Sequence, residues 1–328
     1  MIKKSRSQGL DFLLLKGLLY AIIYKNEKSG ENMKLTDLFG KKTSLTNKDI
    51  NIRDPFIINE DGTYYMYGTR AKDFGKYTGG FDVYMSKDLV NWSEPIECFD
   101  SVKHNLNYMV NWAPEVHKYK GKYYMFATFT RKSNGLRGTF VLKADSPLGP
   151  FVPHSKGVVT PEEWECLDGT LYINGEGKPY IVFCHEHTQI IDGTMCFAPL
   201  SEDLTEMAGE AVTMFKASEP YWADKQTGDE HRITDGPFMY RTEEGTLLMI
   251  WSTFIKGKYA ECLVRFNDGE LSMNFEHLEP LIDNDGGHGM LFKSGDKLYL
   301  TYHSPNTTGF EHPCFIEVED IGDKIILK

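Results

Sequence analysis

The sequence predicts an all-β chain that folds as a five-bladed β-propeller, and two observations support this prediction. After residue 50, runs rich in aromatic and β-branched residues alternate with turns that contain Gly and Asp, and no long helical periodicity interrupts them. One outline also repeats five times: a polar residue, a short apolar strand, a turn with Gly and an aromatic strand. Its spacing of 53 to 67 residues suits four-stranded blades with variable outer loops.

The five copies of this outline assign the blades in chain order. Their sequences are RDPFIINEDGTYYMYGT, APEVHKYKGKYYMFATF, LDGTLYINGEGKPYIVF, TDGPFMYRTEEGTLLMIWST and GGHGMLFKSGDKLYLTYHS. Each copy has one polar residue at or near its start. We interpret these residues as equivalent positions of the five blades: Asp54, Glu115, Asp168, Asp235 and His288.

These polar positions predict a shared pocket. The first strand of every propeller blade lines the central channel, so five side chains at its start should meet around one axial pocket. Any single Asp at such a place is equally well explained as a turn former. Four carboxylates together repel one another unless a proton, a cation or a positive substrate relieves the repulsion. The cluster therefore indicates a functional site in the axial pocket.

Composition narrows the class of partner. The net charge of the 328-residue chain is −11, which argues against a nucleic-acid partner or an anionic membrane surface, because both favour clustered Lys and Arg. The six cysteines are scattered without a CxxC pair, so neither a zinc site nor a disulfide framework is indicated. Reduced thiols of this kind are typical of a cytoplasmic protein.

The predicted domain organisation is an N-terminal extension over residues 1–45 and a single propeller domain over residues 46–328. The extension contains an apolar run from Phe12 to Tyr24 that Lys16 interrupts, and no small-residue cleavage site follows it. The run is also shorter than the ~20 apolar residues of a membrane span. We expect no export and a cytoplasmic location, with the extension either partly disordered or the product of a start site assigned upstream of Met33.

Five motifs carry a family resemblance. In chain order they are RDP at residues 53–55, NWAPEVHKY at 111–119, LDGTLYI around Asp168, TDGPFMY around Asp235 and DGGHGMLF around His288. Over about residues 51–304 they resemble glycoside hydrolase family 43, whose members are five-bladed propellers acting on arabinose- and xylose-containing glycans. Two positions depart from the family: Glu115 stands where Asp is commoner, and Asp235 stands where the family usually has the Glu of Glu-Gly-Pro.

The resemblance implies a role for each motif residue. Asp54 would be the general base, Asp235 the general acid, and Asp168 the residue that orients the acid and tunes its pKa. The chemistry itself requires no cofactor, while His288 would lie beside a structural Ca²⁺, another cation or its water shell. The remaining candidates are assigned to substrate binding, with the tryptophan as a sugar-stacking platform: Arg53, Trp112, Glu115 and Glu186.

The chemistry of glycoside hydrolysis requires a pair of carboxyl groups, whatever the family. An inverting enzyme needs a carboxylate that deprotonates water and a carboxylic acid that protonates the leaving oxygen, with the two groups roughly 6.5–9.5 Å apart. The pKa of Asp235 must be raised for it to hold a proton near neutrality, and burial beside a negative Asp168 would raise it. Asp in place of Glu shortens the reach by about 1.5 Å, and a misplacement of that order costs on the order of 10²-fold in rate. Glu186 and Glu165 are therefore the alternative acids.

Two other functions fit parts of the sequence. The WEC motif at Glu165 resembles the acid motif of family 32, the retaining fructan hydrolases, but the nucleophile motif of that family is missing before Arg53. A non-catalytic glycan-binding propeller would explain Asp235 as a lost acid. We predict an inverting glycosidase, exo- or endo-acting, whose partner is an oligo- or polysaccharide such as arabinan, arabinoxylan or xylan rather than a nucleic acid or a membrane.

Overall fold

The computed structural model describes residues 44–74, 79–106, 109–224 and 230–328. The N-terminal extension predicted over residues 1–45 lies almost wholly outside them. Within the described residues, twenty strands form five four-stranded sheets, which confirms the predicted all-β five-bladed propeller. This part of the chain contains no helix with the length and apolar character needed to cross a membrane.

Each blade consists of four antiparallel strands that follow one another in the sequence. Blades 1 and 2 contain β1 (Ile52–Glu60), β2 (Thr63–Arg70), β3 (Gly80–Ser86), β4 (Ile96–Asp100), β5 (Asn111–Tyr119), β6 (Lys122–Thr130), β7 (Arg137–Ala144) and β8 (Val152–Pro153). Blade 3 contains β9 (Cys166–Ile173), β10 (Pro179–His185), β11 (Thr194–Pro199) and β12 (Val212–Lys216). Blades 4 and 5 contain β13 (Asp235–Arg241), β14 (Leu247–Ile255), β15 (Lys258–Phe266), β16 (Phe275–His277), β17 (Gly287–Ser294), β18 (Lys297–Ser304), β19 (His312–Asp320) and β20 (Ile325–Leu327). The described loops carry a 3₁₀ turn at Ala71–Asp73 and a short helix, α1, at His187–Ile190.

The first strands form an inner ring. β1 contacts β5, β5 contacts β9, β9 contacts β13, β13 contacts β17, and β17 returns to β1. The seam between blade 5 and blade 1 is closed by residues that are far apart in the sequence. There the Ile52 N–H donates to the Glu311 carbonyl (3.2 Å), the Asn51 side-chain amide donates to the same carbonyl (2.8 Å), and Arg53 pairs with the Glu311 carboxylate (2.8 Å). Noncovalent contacts therefore complete the ring.

Apolar clusters fill the junctions between neighbouring blades, and the described residues provide one cluster for each of the five junctions. Blades 1 and 2, for example, are joined by Tyr67, Phe81, Phe129 and Phe151, none of which is more than 1% exposed. Burying a large apolar side chain stabilises a fold by roughly 1.5–3 kcal/mol. All six cysteines are free thiols, as their scattered spacing predicted. The junctions fix the positions of the first strands.

Candidate active site

A β-bulge in each first strand sets the direction of one side chain. The pairing with the second strand shifts register just after Arg53, Trp112, Leu167, Asp235 and Gly287. The residue that follows each of these has a positive φ: Asp54 (54°), Ala113 (45°), Asp168 (55°), Gly236 (50°) and His288 (52°). The shared register and the shared φ identify these five residues as the equivalent positions of the blades.

Two equivalences predicted from the sequence are therefore wrong. The blade-two position is Ala113 and not Glu115, which lies two residues farther along β5. The blade-four position is Gly236 and not Asp235, which lies one residue before it. The polar residues of the copies do not all mark the bulge, because the bulge is a property of the backbone and not of side-chain polarity. Asp235 thus enters the site from a different backbone position than Asp54.

At each bulge, the backbone N–H of the positive-φ residue is not paired within the β-ladder. In four of the five blades, a side chain of the preceding blade accepts a hydrogen bond from this N–H. Such partners matter because a buried N–H without an acceptor is costly. The acceptors occupy one position of the second strand, opposite the residue that precedes the bulge. The four bonds are Ala113 N–H to Thr69 Oγ1 (2.7 Å), Asp168 N–H to Thr128 Oγ1 (2.9 Å), His288 N–H to Ser252 Oγ (2.6 Å) and Asp54 N–H to His303 Nδ1 (3.2 Å).

Blade 4 departs from this scheme. Cys184 occupies the acceptor position of blade 3, and a thiol is a weak acceptor. The Gly236 N–H instead donates to Asp168 Oδ2 over 3.2 Å. Asp168 is thereby tied to the backbone that carries Asp235.

Asp54 is a buried carboxylate held by donors and cations. Thr69 Oγ1 donates to its Oδ2 over 2.6 Å. Its Oδ1 lies 3.2 Å from His288 Nδ1 and 3.9 Å from Arg53 Nε. Burial by itself raises the pKa of Asp54, but the positive charges of His288 and Arg53 outweigh burial and hold that pKa below its ordinary value. Asp54 is consequently ionised at neutral pH.

Asp168 and His288 complete the cluster. Burial raises the pKa of Asp168 well above its ordinary value, and the facing carboxylates of Asp235 and Asp54 add to the shift. Burial lowers the pKa of His288, but the charges of Asp54 and Asp168 outweigh it and raise that pKa to about 9. His288 Nδ1 lies 3.7 Å from Asp168 Oδ2, so one cationic imidazole faces both aspartates.

Asp235 has the surroundings of a proton donor. Its Oδ2 accepts a hydrogen bond from the Tyr259 hydroxyl over 2.9 Å. Burial raises the pKa of Asp235 to about 6, against the opposing charge of His288, and the negative charge of Glu186 adds to the increase. The sequence predicted that burial beside a negative Asp168 raises this pKa. Burial is the largest cause of the increase, and the like charges that add to it belong to Glu186 and Asp54. A carboxyl group of this kind keeps a proton close to neutral pH.

A cavity of about 330 Å³ brings these groups together. The volume lies near the lower end of the roughly 300–1,000 Å³ found for ligand pockets. Residues from all five blades line it. They include the four titratable groups described above, Asp54, Asp168, Asp235 and His288, and the apolar side chains of Leu167, Ile233 and Phe254. The structure therefore places the predicted acid, base, orienting and histidine residues around one pocket.

One wall of the cavity is a stack of cationic and aromatic groups. The Arg53 guanidinium lies 4.0 Å from the centre of the Phe74 ring, and Phe74 stacks on Trp112 with their centres 5.0 Å apart. Arg137 in turn lies 5.3 Å from the Trp112 ring. Cation–π contacts contribute about 0.5–2 kcal/mol each, more when desolvated. Arg53 and Trp112 were both predicted to bind substrate. They belong to this wall, and the stacking contacts fix the orientation of their side chains.

The two alternative acids are both bound to Arg137. Glu186 lines the cavity and accepts from Arg137 Nη2 over 2.8 Å and from the His187 N–H over 3.0 Å. Glu165 accepts from Arg137 Nε and is not one of the cavity-lining residues. Both carboxylates are committed to the guanidinium, whereas the partner of Asp235 is a neutral hydroxyl. This arrangement favours Asp235 as the proton donor.

Glu115 does not contribute to the cavity wall, although the sequence predicted it to bind substrate. The side chain is buried, and its carboxylate pairs with His117 Nε2 over 3.1 Å on the same strand. The residues that line the cavity do not include it. Its position beyond the bulge explains the difference, since Ala113 stands where Glu115 was expected.

The predicted cation near His288 can be compared with the donors present. His288 Nδ1 is committed to Asp54 at 3.2 Å. Over residues 44–74, 79–106, 109–224 and 230–328, no group of three or more His, Cys, Asp or Glu side chains is placed to hold a metal ion. Divalent cations take several ligands at once, and the residues described here do not fit one. The cation stays an untested prediction, and no step below depends on it.

Several residues of the site could not be identified from the sequence motifs, among them four with polar contacts to the titratable groups or their backbone: Thr69, Arg137, Tyr259 and His303. Thr69 and His303 occupy the acceptor position that recurs in the second strands, so aligning those strands in the five copies could have found them. Arg137 and Tyr259 lie on the third strands β7 and β15, where the sequence shows no repeated motif.

Gly236→Ala is expected to disturb the site beyond ordinary backbone strain. A Cβ at this position would lie 2.6 Å from His288 Cδ2, and φ is +50°. The left-handed conformation costs alanine roughly 1–2 kcal/mol, and displacement of His288 adds to this. Gly177→Ala is the matched control, since its φ is +79° and no atom of the described residues lies within 4 Å of the added Cβ. Urea denaturation and kcat/KM should show a larger loss for Gly236→Ala, and equal effects would contradict the contact with His288.

Residues 49–316 match the family described as Glycosyl hydrolases family 43. The chain is similar to the solved endo-arabinase from Bacteroides thetaiotaomicron, with 36% identity, a TM-score of 0.76 and coverage of 85% of this chain and 98% of that one. Two further solved structures share the fold. One is a thermostable family-43 glycoside hydrolase, with 23% identity, a TM-score of 0.73 and coverage of 84% of this chain and 92% of that one. The other is an endo-1,4-beta-xylanase from Bacteroides thetaiotaomicron, with 22% identity, a TM-score of 0.71 and coverage of 87% of this chain and 97% of that one. No curated protein sequence matches the chain. Because the family match runs from blade 1 into the third strand of blade 5, the chain belongs to glycosyl hydrolases family 43, as its motifs predicted, and is a glycosidase.

Proposed function

We propose that the chain hydrolyses glycosidic bonds in arabinose- and xylose-containing glycans with inversion of configuration, Asp54 acting as general base and Asp235 as general acid. One observation carries this proposal: two carboxyl groups that line the same cavity have pKa values shifted in opposite directions. Against the effect of burial, His288 and Arg53 lower the pKa of Asp54, whereas burial raises the pKa of Asp235 to about 6. A reaction with one base and one acid needs such a pair.

In the proposed reaction, Asp54 removes a proton from the water that attacks the anomeric carbon. The Thr69 hydroxyl holds one oxygen of the carboxylate and the His288 imidazolium lies 3.2 Å from the other. Asp235 gives its proton to the leaving oxygen on the opposite face of the sugar. The attack of water from the face opposite the leaving group produces the inverted sugar.

Asp168 is proposed to position the other groups without reacting. Its Oδ2 accepts the N–H of Gly236, the residue directly after the acid. The same oxygen lies 3.7 Å from His288 Nδ1, the nitrogen that also faces the base. These contacts support the orienting role that the family motif implies.

The proposed substrate is an uncharged pentose glycan, with arabinan first. Support comes from the 36% identity to a protein titled endo-arabinase. The cationic side chains in the cavity wall pair with carboxylates of the protein, Arg53 with Glu311 and Arg137 with Glu186, both at 2.8 Å. This pairing favours a neutral sugar over an acidic one, because an acidic sugar would have to compete with these carboxylates.

Proton NMR during hydrolysis of linear arabinan tests the mechanism and the substrate together. The first-formed sugar is expected to have the anomeric configuration opposite to that of the linkage it came from. In a parallel aryl glycoside panel, the arabinofuranoside should react faster than the xyloside, galactoside and galactofuranoside. Retention would contradict the proposed mechanism and favour a family 32-like reaction through Glu165. Inversion combined with a faster xyloside would contradict only the substrate.

A further inference from the structure

Tyr259 lines the cavity, and close packing on several sides fixes the orientation of its ring. Its side chain is 1% exposed, and its ring stacks on His303 with the centres 5.5 Å apart and 26° between the planes. A Cβ on Gly287 would lie only 2.8 Å from the ring, so the backbone of blade 5 packs directly against it. The hydroxyl of this fixed ring reaches Asp235 Oδ2 at 2.9 Å.

The stacked pair of Tyr259 and His303 joins the acid to the base. His303 Nδ1 accepts the N–H of Asp54 over 3.2 Å, while the Tyr259 hydroxyl donates to the side chain of Asp235. Burial, together with the charge of Arg53, lowers the pKa of His303 to about 3, so the imidazole is neutral and its Nδ1 is free to accept. One rigid aromatic pair therefore contacts both carboxylate-bearing residues.

A donor at Oδ2 decides which oxygen of Asp235 carries the proton. A carboxylic acid accepts hydrogen bonds at its carbonyl oxygen and donates from the other. Burial raises the pKa of Tyr259 well above its ordinary value, so the phenol stays protonated and donates to Oδ2. The acidic proton is then left on Oδ1. Asp also carries its carboxyl one methylene closer to the backbone than Glu does, so a fixed orientation matters more here.

We propose that Tyr259 is a positioning residue for the general acid: its hydroxyl holds Asp235 Oδ2 as an acceptor and so places the transferable proton on Oδ1. The proposal rests on the assignment of Asp235 as the acid made above. It accounts for a functional acid with the shorter side chain at a position where Glu is usual in related sequences.

Tyr259→Phe tests this role because it removes the hydroxyl and keeps the ring that stacks on His303. On arabinan and on alkyl glycosides, whose leaving groups need a proton, kcat should fall by ~10-fold or more, while aryl arabinofuranosides with strongly acidic phenols should lose much less. Loss of the hydroxyl also removes a hydrogen bond that lowers the pKa of Asp235. Since the acid must be protonated, activity is lost as pH rises through this pKa, and the basic limb of kcat/KM should move to higher pH.

Tyr67→Phe is the matched control. Tyr67 is fully buried in blade 1, and its hydroxyl donates to the Pro147 carbonyl over 2.5 Å, away from the cavity-lining residues. It should lose stability without changing the leaving-group dependence or the basic limb. A uniform loss on all substrates by Tyr259→Phe, with an unmoved basic limb, would reduce Tyr259 to a packing residue and overturn the proposal.

Asp235→Asn in the same series separates this inference from the proposed function. If Asp235→Asn shows strong leaving-group dependence and Tyr259→Phe does not, the acid assignment stands and the role of Tyr259 is wrong. If neither variant shows it, the acid assignment fails and the role of Tyr259 fails with it. In the double variant, the Tyr259 change should add nothing to the leaving-group dependence, because it acts through Asp235.

Discussion

Asp54→Asn is expected to fold normally and to lose turnover by on the order of 10³-fold or more on every substrate. An amide in place of the carboxylate cannot take the proton of the attacking water, and this loss does not depend on the leaving group. The Thr69 hydroxyl can still donate to the amide oxygen, so the bulge should keep its shape. Values of kcat and KM on arabinan and on an aryl arabinofuranoside, with circular dichroism as the check of folding, measure the effect.

The control for this substitution is Asp61→Asn. Asp61 is exposed at the turn between β1 and β2 and has a φ of 51°, a conformation that Asn tolerates well. Its change should leave activity as it is. A folded Asp54→Asn variant with activity near that of the parent would remove Asp54 from the mechanism and leave the cavity without its assigned base.

Asp235→Asn should slow arabinan hydrolysis by ~10²-fold or more while sparing activated aryl arabinofuranosides. An alkoxide leaves poorly without a proton, whereas a phenolate of low basicity needs little help. Asn keeps the size of the side chain and can still accept from Tyr259 at Oδ1, so the cavity should keep its shape. The slope of log kcat/KM against the pKa of the leaving phenol measures the effect and should steepen in the variant.

Glu186→Gln is the matched comparison for Asp235→Asn. Glu186 lines the same cavity, but Arg137 binds its carboxylate. Its change should weaken catalysis on all substrates alike, because Arg137 in the cavity wall loses the charge of one of its two carboxylate partners. A steep leaving-group dependence in Glu186→Gln, with a uniform loss in Asp235→Asn, would show that the acid is Glu186.

The blade order could be predicted because each copy of the outline is local. A first strand, a turn with Gly and a second strand lie within about twenty residues, so one pattern reports one hairpin. Gathering Asp54, Asp168 and His288 in one pocket then follows from propeller geometry. The register of the bulge did not follow, because it depends on backbone dihedrals: Ala113 and Gly236 have a positive φ close to that of Asp54 and Asp168 without sharing their polar character.

The hydrogen-bond partners of the charged groups in the site could not be predicted from the repeated sequence pattern either. Arg137 reaches Glu186 from the third strand of the neighbouring blade, and Tyr259 reaches Asp235 from the third strand of its own. A third strand such as β7 contributes Leu142 to one junction core and Val141 to the next, and the polar residues of the third strands follow no repeated pattern in the sequence. The contacts that shift the pKa of the predicted acid therefore appear only when the blades are packed together.

The seam between blades 5 and 1 links the closure of the ring to the formation of the active site. Arg53 belongs both to the seam, through Glu311, and to the surroundings of the base, and the Asp54 N–H is accepted by His303 from the other side of the same seam. A ring that opens there keeps four of its blade junctions but separates Asp54, the proposed base, from His288 and His303. If Asp54 is the base as proposed, catalytic competence is acquired only when the circle is complete, and we expect an incompletely closed propeller to be inactive while it keeps nearly all of its β-structure.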